Sequence, residues 1–263
     1  MSSELSFCII VPIYNEELCV ERCVKALCQA LDEFPYRTAL IVVNDGSLDD
    51  TQKILNRLVP KYLDLTVVSY SENLGYGGAV RQGIDKASDE GFDYALFMDS
   101  DLTNDPKYIG GFVEKMLDGV DVIKASRYIR GGEAVGVPIY RVIISVLGNK
   151  LARFLLGVPI LDCTNGFQAI KVSLLKKMPL SENGFAVIME ELYYLKFLAE
   201  TFCEVPYTLA TRRDMIRKSS FYYRPKVFCQ YLKYPLKSFF NLAPKHIRHY
   251  EETTGATHNL SRM

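Results

Sequence analysis

Short apolar runs rich in β-branched residues alternate with segments of helical periodicity through the first half of the chain. The runs that predict strands are Phe7–Val11, Leu40–Val43, Leu65–Val68, Tyr94–Met98 and Val120–Lys124. Between them, apolar residues recur every three to four positions, as Val20, Val24 and Leu27 do. This order predicts an α/β fold with a doubly wound, mostly parallel sheet, whose ligands bind where the strands end.

The alternation weakens beyond about residue 126, where the order of elements becomes harder to derive. Helices are predicted at Gly78–Ala87, Pro106–Leu117, Val142–Leu156 and Val187–Ala199, and further strands at Phe167–Val172 and Cys203–Leu209. The pattern contains no internal repeat that would indicate a solenoid.

The composition narrows the class of protein. The chain has 263 residues, 49% of them hydrophobic, and carries 31 basic and 31 acidic side chains. Because it has no net charge, nucleic acid is not expected as a partner. The seven cysteines form no C-x-x-C pair, which indicates reduced thiols in a cytosolic compartment. All three histidines lie at or beyond His246, which excludes chemistry centred on a histidine of the predicted sheet.

The sequence predicts neither a signal peptide nor a transmembrane helix. The N-terminus lacks a basic segment followed by a long apolar one. The most apolar window, Val142–Leu161, is interrupted by Asn149, Lys150 and Arg153. We therefore expect a cytoplasmic protein, peripheral at the cytoplasmic face of a membrane.

The C-terminal segment, residues 211–250, is basic and aromatic. Such a composition is typical of an interfacial element near anionic headgroups. A helix packed on the sheet with its lysines pointing outward would have the same composition. Residues 251–263 are expected to be a frayed tail.

Asp99, Ser100 and Asp101 directly follow the strand that ends at Met98. Residues two apart on an extended segment point to the same side, so both carboxylates can face one spot. Two such oxygens, with water and a diphosphate, make a site that suits Mg²⁺ or Mn²⁺. A D-x-D pattern also arises by chance, but its position after a strand favours a metal site.

Two other segments follow predicted strands. Asn44–Ser47 has the chemistry of a turn before a helix, and Asp45 there is also placed to bind a base or a ribose. Asn73–Arg81 is rich in glycine and opens a helix, as phosphate-cradling loops do. Val80 stands where the dinucleotide fingerprint requires Gly or Ala, which disfavours a dehydrogenase.

In order and spacing, these segments resemble the inverting family 2 glycosyltransferases of the GT-A fold. The matching residues in the first half are Ile10–Glu16, Asn44–Ser47, Asn73–Gly75 and Phe97–Asp101. The second half is similar to dolichol- and polyprenol-phosphate mannosyltransferases and their glucosyl relatives. The residues that carry this similarity are Ser126–Tyr128, Gly131, Gly132, Arg141–Ser145, Asn149, Asp162–Phe167, Gly184, Phe185, Glu190 and the basic segment Arg212–Lys218.

The resemblance covers about residues 6–220 and implies a domain division. Residues 1–210 would form the GT-A domain, with a nucleotide-binding half at about 1–105 and an acceptor half at about 106–210. Asn44, Gln168, Met215 and Arg217 depart from the residues usual in the family. These departures leave the sugar and the acceptor open.

The resemblance also implies roles for individual residues. Asp99 and Asp101 would hold the metal ion against the donor diphosphate, and Arg127 would add fixed positive charge. The nucleotide-sugar pocket would be lined by Pro12, Tyr14, Glu16, Asp45, Gly75, Asp99 and Ser100.

The nature of the acceptor decides which further residues matter. A phosphate monoester is already anionic and needs no general base, so Arg141, Arg212 and Lys218 would bind it. A hydroxyl acceptor requires a base, for which Asp162 or Glu190 is the candidate. The structural alternatives are a helix cap for Asp162 and a solvated helix position for Glu190.

The leading hypothesis is a metal-dependent enzyme that transfers a hexose from a nucleotide sugar of the GDP-mannose or UDP-glucose class to a polyprenyl phosphate. Its partners would be these two substrates and a membrane surface, and a homo-oligomer is left open. The same chemistry on a hydroxyl of a saccharide, lipid or protein is the first alternative. A catalytically inactive nucleotide-binding scaffold is the second.

Overall fold

A seven-stranded sheet forms the centre of the protein. The structure is a computed structural model that describes residues 4–209, 225–240 and 242, with the backbone alone at 225–228. The strands of this sheet are β1 (Ser6–Ile13), β2 (Arg37–Asp45), β3 (Leu65–Tyr70), β4 (Tyr94–Phe97), β5 (Val122–Ser126), β7 (Gln168–Lys171) and β8 (Phe202–Pro206). Their order is β3-β2-β1-β4-β7-β5-β8. In a separate ribbon, β6 (Glu133–Ala134) pairs with β9 (Thr208–Leu209).

Helices cover both faces of the sheet, as the alternating pattern predicts. They are α1 (Val20–Leu31), α2 (Thr51–Leu58), α3 (Tyr76–Asp89), α4 (Ile109–Leu117), α5 (Ile139–Leu156), α6 (Val172–Leu175), α7 (Val187–Leu198) and α8 (Pro225–Phe239). One core lies between the sheet and α1, α2 and α4, and a second between the sheet and α3, α6 and α7.

Burial on both faces explains why the central strands are continuous apolar runs. Phe7, Ile9 and Val11 of β1 belong to the first core, whereas Cys8 and Ile10 belong to the second, and all five are fully buried. A strand that is covered on both faces has no polar side, so its sequence shows no alternation. The predicted fold class is confirmed in this respect.

Two features of the sheet depart from the sequence-based expectation. Strand β7 runs antiparallel to both of its neighbours, β4 and β5. The ribbon of β6 and β9 was not predicted, because two-residue strands leave no periodic pattern.

The helix expected from Pro106 begins instead with a 3₁₀ turn at Pro106–Tyr108, followed by α4.

A third apolar cluster lies beside the sheet, where α5, α7 and α8 pack together. It includes Leu156 of α5, Leu192 of α7 and Tyr234 of α8. None of the described helices is both long enough and apolar enough to cross a membrane.

Candidate functional site

The parallel strands β1, β2 and β4 end at one edge of the sheet, and the candidate donor-site residues lie there. β1 is paired in parallel with β2 on one side and with β4 on the other. The chain beyond β1 carries exposed Tyr14 and half-buried Glu16, and β2 ends at buried Asp45. Beyond β4 come exposed Asp99 and half-buried Asp101. Pro12 is half-buried in β1, and Ser100 is buried between the two aspartates.

Hydrogen bonds within the loop orient its carboxylates. Oδ1 of Asp101 accepts from both the backbone N–H and the hydroxyl of Thr103, at 2.9 and 2.6 Å. The backbone N–H of Asp99 donates to Oδ1 of Asn104 at 2.7 Å. Leu102 adopts a left-handed φ of 58°, which turns the chain back under the two aspartates.

Tyr207, which directly follows β8 and is distant in sequence, forms hydrogen bonds with this loop. Its hydroxyl donates to the carbonyl of Thr103 at 2.8 Å and lies 3.4 Å from the amide nitrogen of Asn104. Burial raises the pKa of Tyr207, and the nearby Asp99 carboxylate acts in the same direction. The hydroxyl therefore stays protonated and can keep donating. Sequence analysis missed this residue, because Tyr207 carries no motif.

The donor set at this edge fits a divalent metal ion. Asp99 and Asp101 supply carboxylate oxygens, the ligands that Mg²⁺ and Mn²⁺ prefer. No cluster of three or more His, Cys, Asp or Glu side chains suitable for a metal occurs among the residues that the structure describes. We predict that the two aspartates hold an ion together with oxygens of a bound substrate and water.

The loops that follow β1 and β2 are joined by hydrogen bonds. The backbone N–H groups of Asn15 and Glu16 donate to the hydroxyls of Ser47 and Thr51, at 2.9 and 2.8 Å. Oδ1 of Asn15 accepts from the N–H of Leu48 at 2.7 Å. These contacts fix the position of the chain around Tyr14 and Glu16, the residues predicted to line the nucleotide pocket.

The carboxylate of Glu16 accepts a hydrogen bond from the Cys19 thiol at 2.7 Å. Burial, together with the charges of Glu16 and Asp101, raises the pKa of Cys19 to about 12. The thiol is therefore protonated at neutral pH, so Cys19 acts as a donor to Glu16 and not as a nucleophile.

Asp45 holds the glycine-rich segment that follows β3. Its Oδ1 accepts from the N–H of Leu74 at 2.7 Å, and its carbonyl accepts from the side chain of Asn73 at 3.0 Å. Oδ1 of Asp45 is therefore already used to hold the glycine-rich segment in place. The role of Asp45 toward a base or ribose remains a prediction.

The expectation that the glycine-rich segment cradles a phosphate is not supported. Gly75 caps α3 with a φ of 80°, and a Cβ there would lie 2.4 Å from the carbonyl oxygen of Asn183. The N–H of Gly77 already donates to that carbonyl at 2.9 Å. A second chain segment, residues 181–184, therefore covers the N-terminus of α3, and its close approach explains the glycines.

Arg127 and Asp162 form a bidentate ion pair at the end of β5. Nε and Nη2 of Arg127 donate to the two carboxylate oxygens of Asp162, both at 2.7 Å. The Asp162 side chain is fully buried, whereas that of Arg127 is 16% exposed. Burial alone would lower the pKa of Arg127, but Asp162 raises it above the ordinary value. The guanidinium is therefore a permanent charge at this edge of the site.

A hydrogen-bond network connects this ion pair to α5. Arg127 also reaches the hydroxyl of Thr164, which accepts from the side chain of Asn149 at 3.1 Å. The Tyr128 hydroxyl donates to the hydroxyl of Ser145 at 2.7 Å. The structure thus brings together residues that the sequence resemblance had only placed in order along the chain.

Glu190 is buried at 1% exposure, so the alternative of a solvated helix position is wrong. Its carboxylate accepts from the backbone N–H groups of Ser181 and Glu182, at 2.9 and 2.8 Å, and from the Ser181 hydroxyl at 2.7 Å. The hydroxyl of Tyr234 in α8 is a fourth donor, at 2.8 Å. These four contacts favour a role in positioning residues 181–184 over a role as a base.

The residues predicted to bind an acceptor phosphate are only partly within the described structure. Arg141 is exposed near the N-terminal end of α5, with its guanidinium 5.9 Å from the ring centre of Tyr140. Arg212 and Lys218 lie outside the described residues.

Comparison with known sequences identifies relatives over most of the chain. The model of the family described as "Glycosyl transferase family 2" matches residues 8–178. The dolichol-phosphate mannosyltransferase of Pyrococcus furiosus is 31% identical over 206 residues, which are 78% of this chain and 56% of that protein. The polyprenol monophosphomannose synthase of Mycolicibacterium smegmatis is 28% identical over 216 residues, 81% of this chain and 80% of that protein.

Comparison with solved structures confirms the GT-A fold. The glucosyl-3-phosphoglycerate synthase of Mycobacterium tuberculosis, crystallised with Mn²⁺, UDP-glucose and phosphoglyceric acid, superposes with a TM-score of 0.63 at 21% identity. The match covers 92% of this chain and 82% of that one. The same enzyme has also been crystallised with Mg²⁺ and UDP.

Proposed function

Because the chain belongs to glycosyl transferase family 2 and is therefore a glycosyltransferase, we propose that it transfers a hexose from a nucleotide-diphosphate sugar to a polyprenyl phosphate. Two relatives of about 30% identity are named as dolichol- or polyprenol-phosphate mannose enzymes. The chain spans 56% of the length of the Pyrococcus relative.

The observation that carries the proposal is the state of the two candidate bases. Asp162 is held by Arg127, and Glu190 accepts four hydrogen bonds. A carboxylate occupied in this way is poorly placed to take a proton from a hydroxyl. A phosphate monoester is already an anionic nucleophile, so a site whose two candidate bases are both engaged favours it over the hydroxyl of a saccharide, lipid or protein.

The residues at the sheet edge would act on the donor by binding and orientation. Tyr14, Glu16 and Asp45 would contact the nucleoside, and Asp99 and Asp101 would hold Mg²⁺ or Mn²⁺. That ion would neutralise charge on the departing diphosphate. The guanidinium of Arg127 is paired with the Asp162 carboxylate, so it would add little net positive charge at the β5 side of the site, unlike the sequence-based expectation. Intact Asp99 and Asp101 in an ordered loop favour an enzyme over an inactive nucleotide-binding scaffold.

The acceptor phosphate would be bound by cations rather than activated. Arg141 is exposed at the start of α5, and α5 is joined to Arg127 through Asn149 and Thr164. We assign Arg212 and Lys218 the same role from sequence alone. Because a polyprenyl chain resides in a membrane, the protein would work at the cytoplasmic membrane face, where its reduced thiols are stable.

A transfer assay tests the proposal directly. Purified protein is incubated with Mn²⁺, radiolabelled GDP-mannose, UDP-glucose or UDP-N-acetylhexosamine, and undecaprenyl or dolichyl phosphate in detergent. We expect a labelled lipid-linked hexose from one donor. The matched variant Asp101→Ala should lose metal-dependent transfer.

The absence of any lipid-linked product with all donors would overturn the polyprenyl phosphate acceptor. A labelled saccharide, glycolipid or glycoprotein would instead support the hydroxyl alternative. Unchanged transfer by Asp101→Ala would contradict the metal assignment.

A further inference from the structure

The outer face of α5 exposes a continuous apolar stripe. Its large side chains are 40–73% exposed, and they are Ile139, Tyr140, Ile143, Ile144, Leu147, Leu151 and Phe154. At 100° per residue they fall within about 140° of the helix circumference. The buried residues Asn149, Ala152 and Leu156 lie on the opposite side, toward the protein. The helix is therefore apolar on the side that faces solvent as well as on the side that faces the core.

Helix α8 extends this stripe into a larger surface. The rings of Phe154 and Phe239 lie 6.0 Å apart, and Leu236 and Phe240 are also exposed. The Ser238 hydroxyl donates to the carbonyl of Leu156 at 2.9 Å, which fixes the two helices to each other. We call the exposed stripe of α5 together with Leu236, Phe239 and Phe240 the α5–α8 face.

The charged residues of α5 and α8 themselves are all basic. The sequence contains no Asp or Glu from residue 134 to 161, nor from 225 to 242. By the same helical projection, Arg141 lies on one flank of the α5 stripe and Arg153 on the other, and Lys150 lies just inside the margin on the Arg153 side. Basic side chains at the margin of an apolar face can lay their aliphatic stems on it and extend their charges outward.

The apolar surface and the basic residues beside it together favour one kind of binding partner. A second copy of the chain, packed on the same face, would place cations against cations. An anionic lipid surface offers apolar depth below the headgroups and negative charge at the level of the flanking cations. We propose that the α5–α8 face lies on an anionic bilayer with α5 parallel to the membrane plane.

The inference rests on the proposed function, because it supplies the contact with a membrane-resident acceptor. It adds α5 to the contact that the sequence predicts for the C-terminal segment, of which α8 is a part. The Tyr128–Ser145 hydrogen bond joins α5 to the end of β5, beside Arg127. A bilayer against α5 would therefore lie next to the acceptor side of the site.

Vesicle flotation of the full chain, without nucleotide or acceptor, tests the proposal. The probes are phosphatidylcholine vesicles with and without phosphatidylglycerol. We expect the protein to float with the anionic vesicles and to be partly released by salt. The variant Leu147→Glu/Phe154→Glu should bind the anionic vesicles about tenfold more weakly or worse, because it places two negative charges at the boundary between the headgroups and the acyl chains. The control Leu63→Glu, an exposed leucine beside β3 at the other end of the sheet, should bind like the original protein.

A second variant guards against misfolding. Lys150→Glu/Arg153→Glu leaves the apolar stripe intact and should lose the preference for anionic vesicles. Equal binding by both variants and the original protein would overturn the proposal. So would light scattering that shows a dimer which Leu147→Glu/Phe154→Glu converts to a monomer, since the face would then be an interface between copies.

The transfer assay in detergent separates the two failures. If hexose transfer occurs but the protein binds no vesicles, the membrane face is wrong and the proposed function stands. If the protein binds vesicles through this face but transfers nothing, the face stands and the proposed function fails.

Discussion

Hydrogen bonds from distant residues help to place Asp99 and Asp101, the aspartates predicted to bind the metal. Tyr207 is 104 positions from Thr103 along the chain, yet its hydroxyl contacts that residue and Asn104. Asn104 in turn holds the backbone of Asp99. The loop after β4 is therefore oriented by a residue beyond β8, and its geometry depends on the whole domain being folded.

Replacing Tyr207 with Phe removes only the hydroxyl. We expect Tyr207→Phe to cost about 1–3 kcal/mol of stability, since the buried Asn104 side chain loses a partner. We also expect a higher Mn²⁺ concentration for half-maximal transfer, because Asp99 and Asp101 would be less well ordered. Chemical denaturation and a metal titration measure the two effects.

Tyr94→Phe is the matched control. The Tyr94 hydroxyl is buried and has no hydrogen-bond partner among the described residues. Its loss should not weaken binding of the metal. An unchanged metal requirement in Tyr207→Phe would show that the hydroxyl does not position the aspartates.

At the scale of elements, residues 181–184 join the glycine-rich loop to α8. Arg81 of α3 donates to the carbonyl of Glu182 at 2.6 Å, and Gly77 donates to that of Asn183. The Glu182 carboxylate accepts from Lys233 of α8, and its Oε1 lies 3.0 Å from the Tyr234 hydroxyl that donates to Glu190. A shift of α8 would therefore be transmitted to the loop held by Asp45.

Gly77→Ala tests the close approach of this segment to α3. A Cβ at Gly77 would lie 2.1 Å from the carbonyl oxygen of Glu182, so residues 181–184 must move. We expect the variant to lose about 1–3 kcal/mol of its free energy of unfolding and to have a raised KM for the nucleotide sugar.

Gly110→Ala is the control, because Gly110 is likewise the second residue of its helix and has no atom within 4 Å of its Cβ position. It should be neutral or stabilising by about 0.5–1 kcal/mol. Equal stability of the two variants would contradict the contact.

Glu190→Gln distinguishes a positioning residue from a base. The amide offers one acceptor oxygen where the carboxylate offers two, so it cannot accept from all four donors. We expect a lower melting temperature and an unchanged shape of the pH–rate profile. Glu114→Gln, at an exposed position of α4, should change neither. A loss of kcat by orders of magnitude with unchanged stability would instead identify Glu190 as the base.

At the scale of the whole molecule, a buried polar chain joins the sheet to α7. Nζ of Lys124 donates to Oε1 of Gln168 and to the carbonyl of Asn165, both at 2.7 Å. The Gln168 amide then donates to the carboxylate of Glu191. Burial raises the pKa of Glu191 to about 7, although the charge of Lys124 opposes this shift.

Removing Lys124 leaves the Glu191 carboxylate buried without a compensating charge. We expect Lys124→Met to lose about 3–5 kcal/mol at pH 8. Without Lys124 the pKa of Glu191 rises further above its ordinary 4.5. At a pH between the ordinary pKa of the unfolded chain and the raised pKa in the folded variant, Glu191 binds a proton only in the folded state. The free energy of unfolding of the variant therefore increases as the pH falls from 8 to 5. Its deficit should therefore shrink over that range.

Denaturation curves at pH 5 and pH 8 measure this effect. The control is Lys171→Met, on β7, whose pair with Asp121 is partly exposed. It should cost at most about 1 kcal/mol and show no such change with pH. A deficit of Lys124→Met that is constant between pH 5 and 8 would show that Glu191 is not the group left uncompensated.

The amino-acid sequence alone was sufficient for the order of the elements in the first half of the chain and for the position of Asp99 and Asp101 at the end of β4. Strands that are covered by helices on both faces must be apolar throughout, so β1 and β2 can be recognised as continuous apolar runs. The helices between them can be recognised from the three-to-four-residue spacing of their apolar side chains. Asp99 and Asp101 could be placed at the sheet edge because a loop that directly follows a strand stays beside that strand's end. The D-x-D spacing predicts a metal site there, and this stays a prediction.

Only the tertiary structure decided which partners those residues have. The direction of β7, the contact of Tyr207 with the metal-site loop and the covering of Gly77 by Asn183 all join segments far apart in sequence, where no local period carries information. Burial likewise turned Glu190 and Asp162 from candidate bases into hydrogen-bonded side chains. The solvent exposure of α5 is the same kind of fact, since an apolar helix has the same sequence whether its outer face packs on protein or is left open.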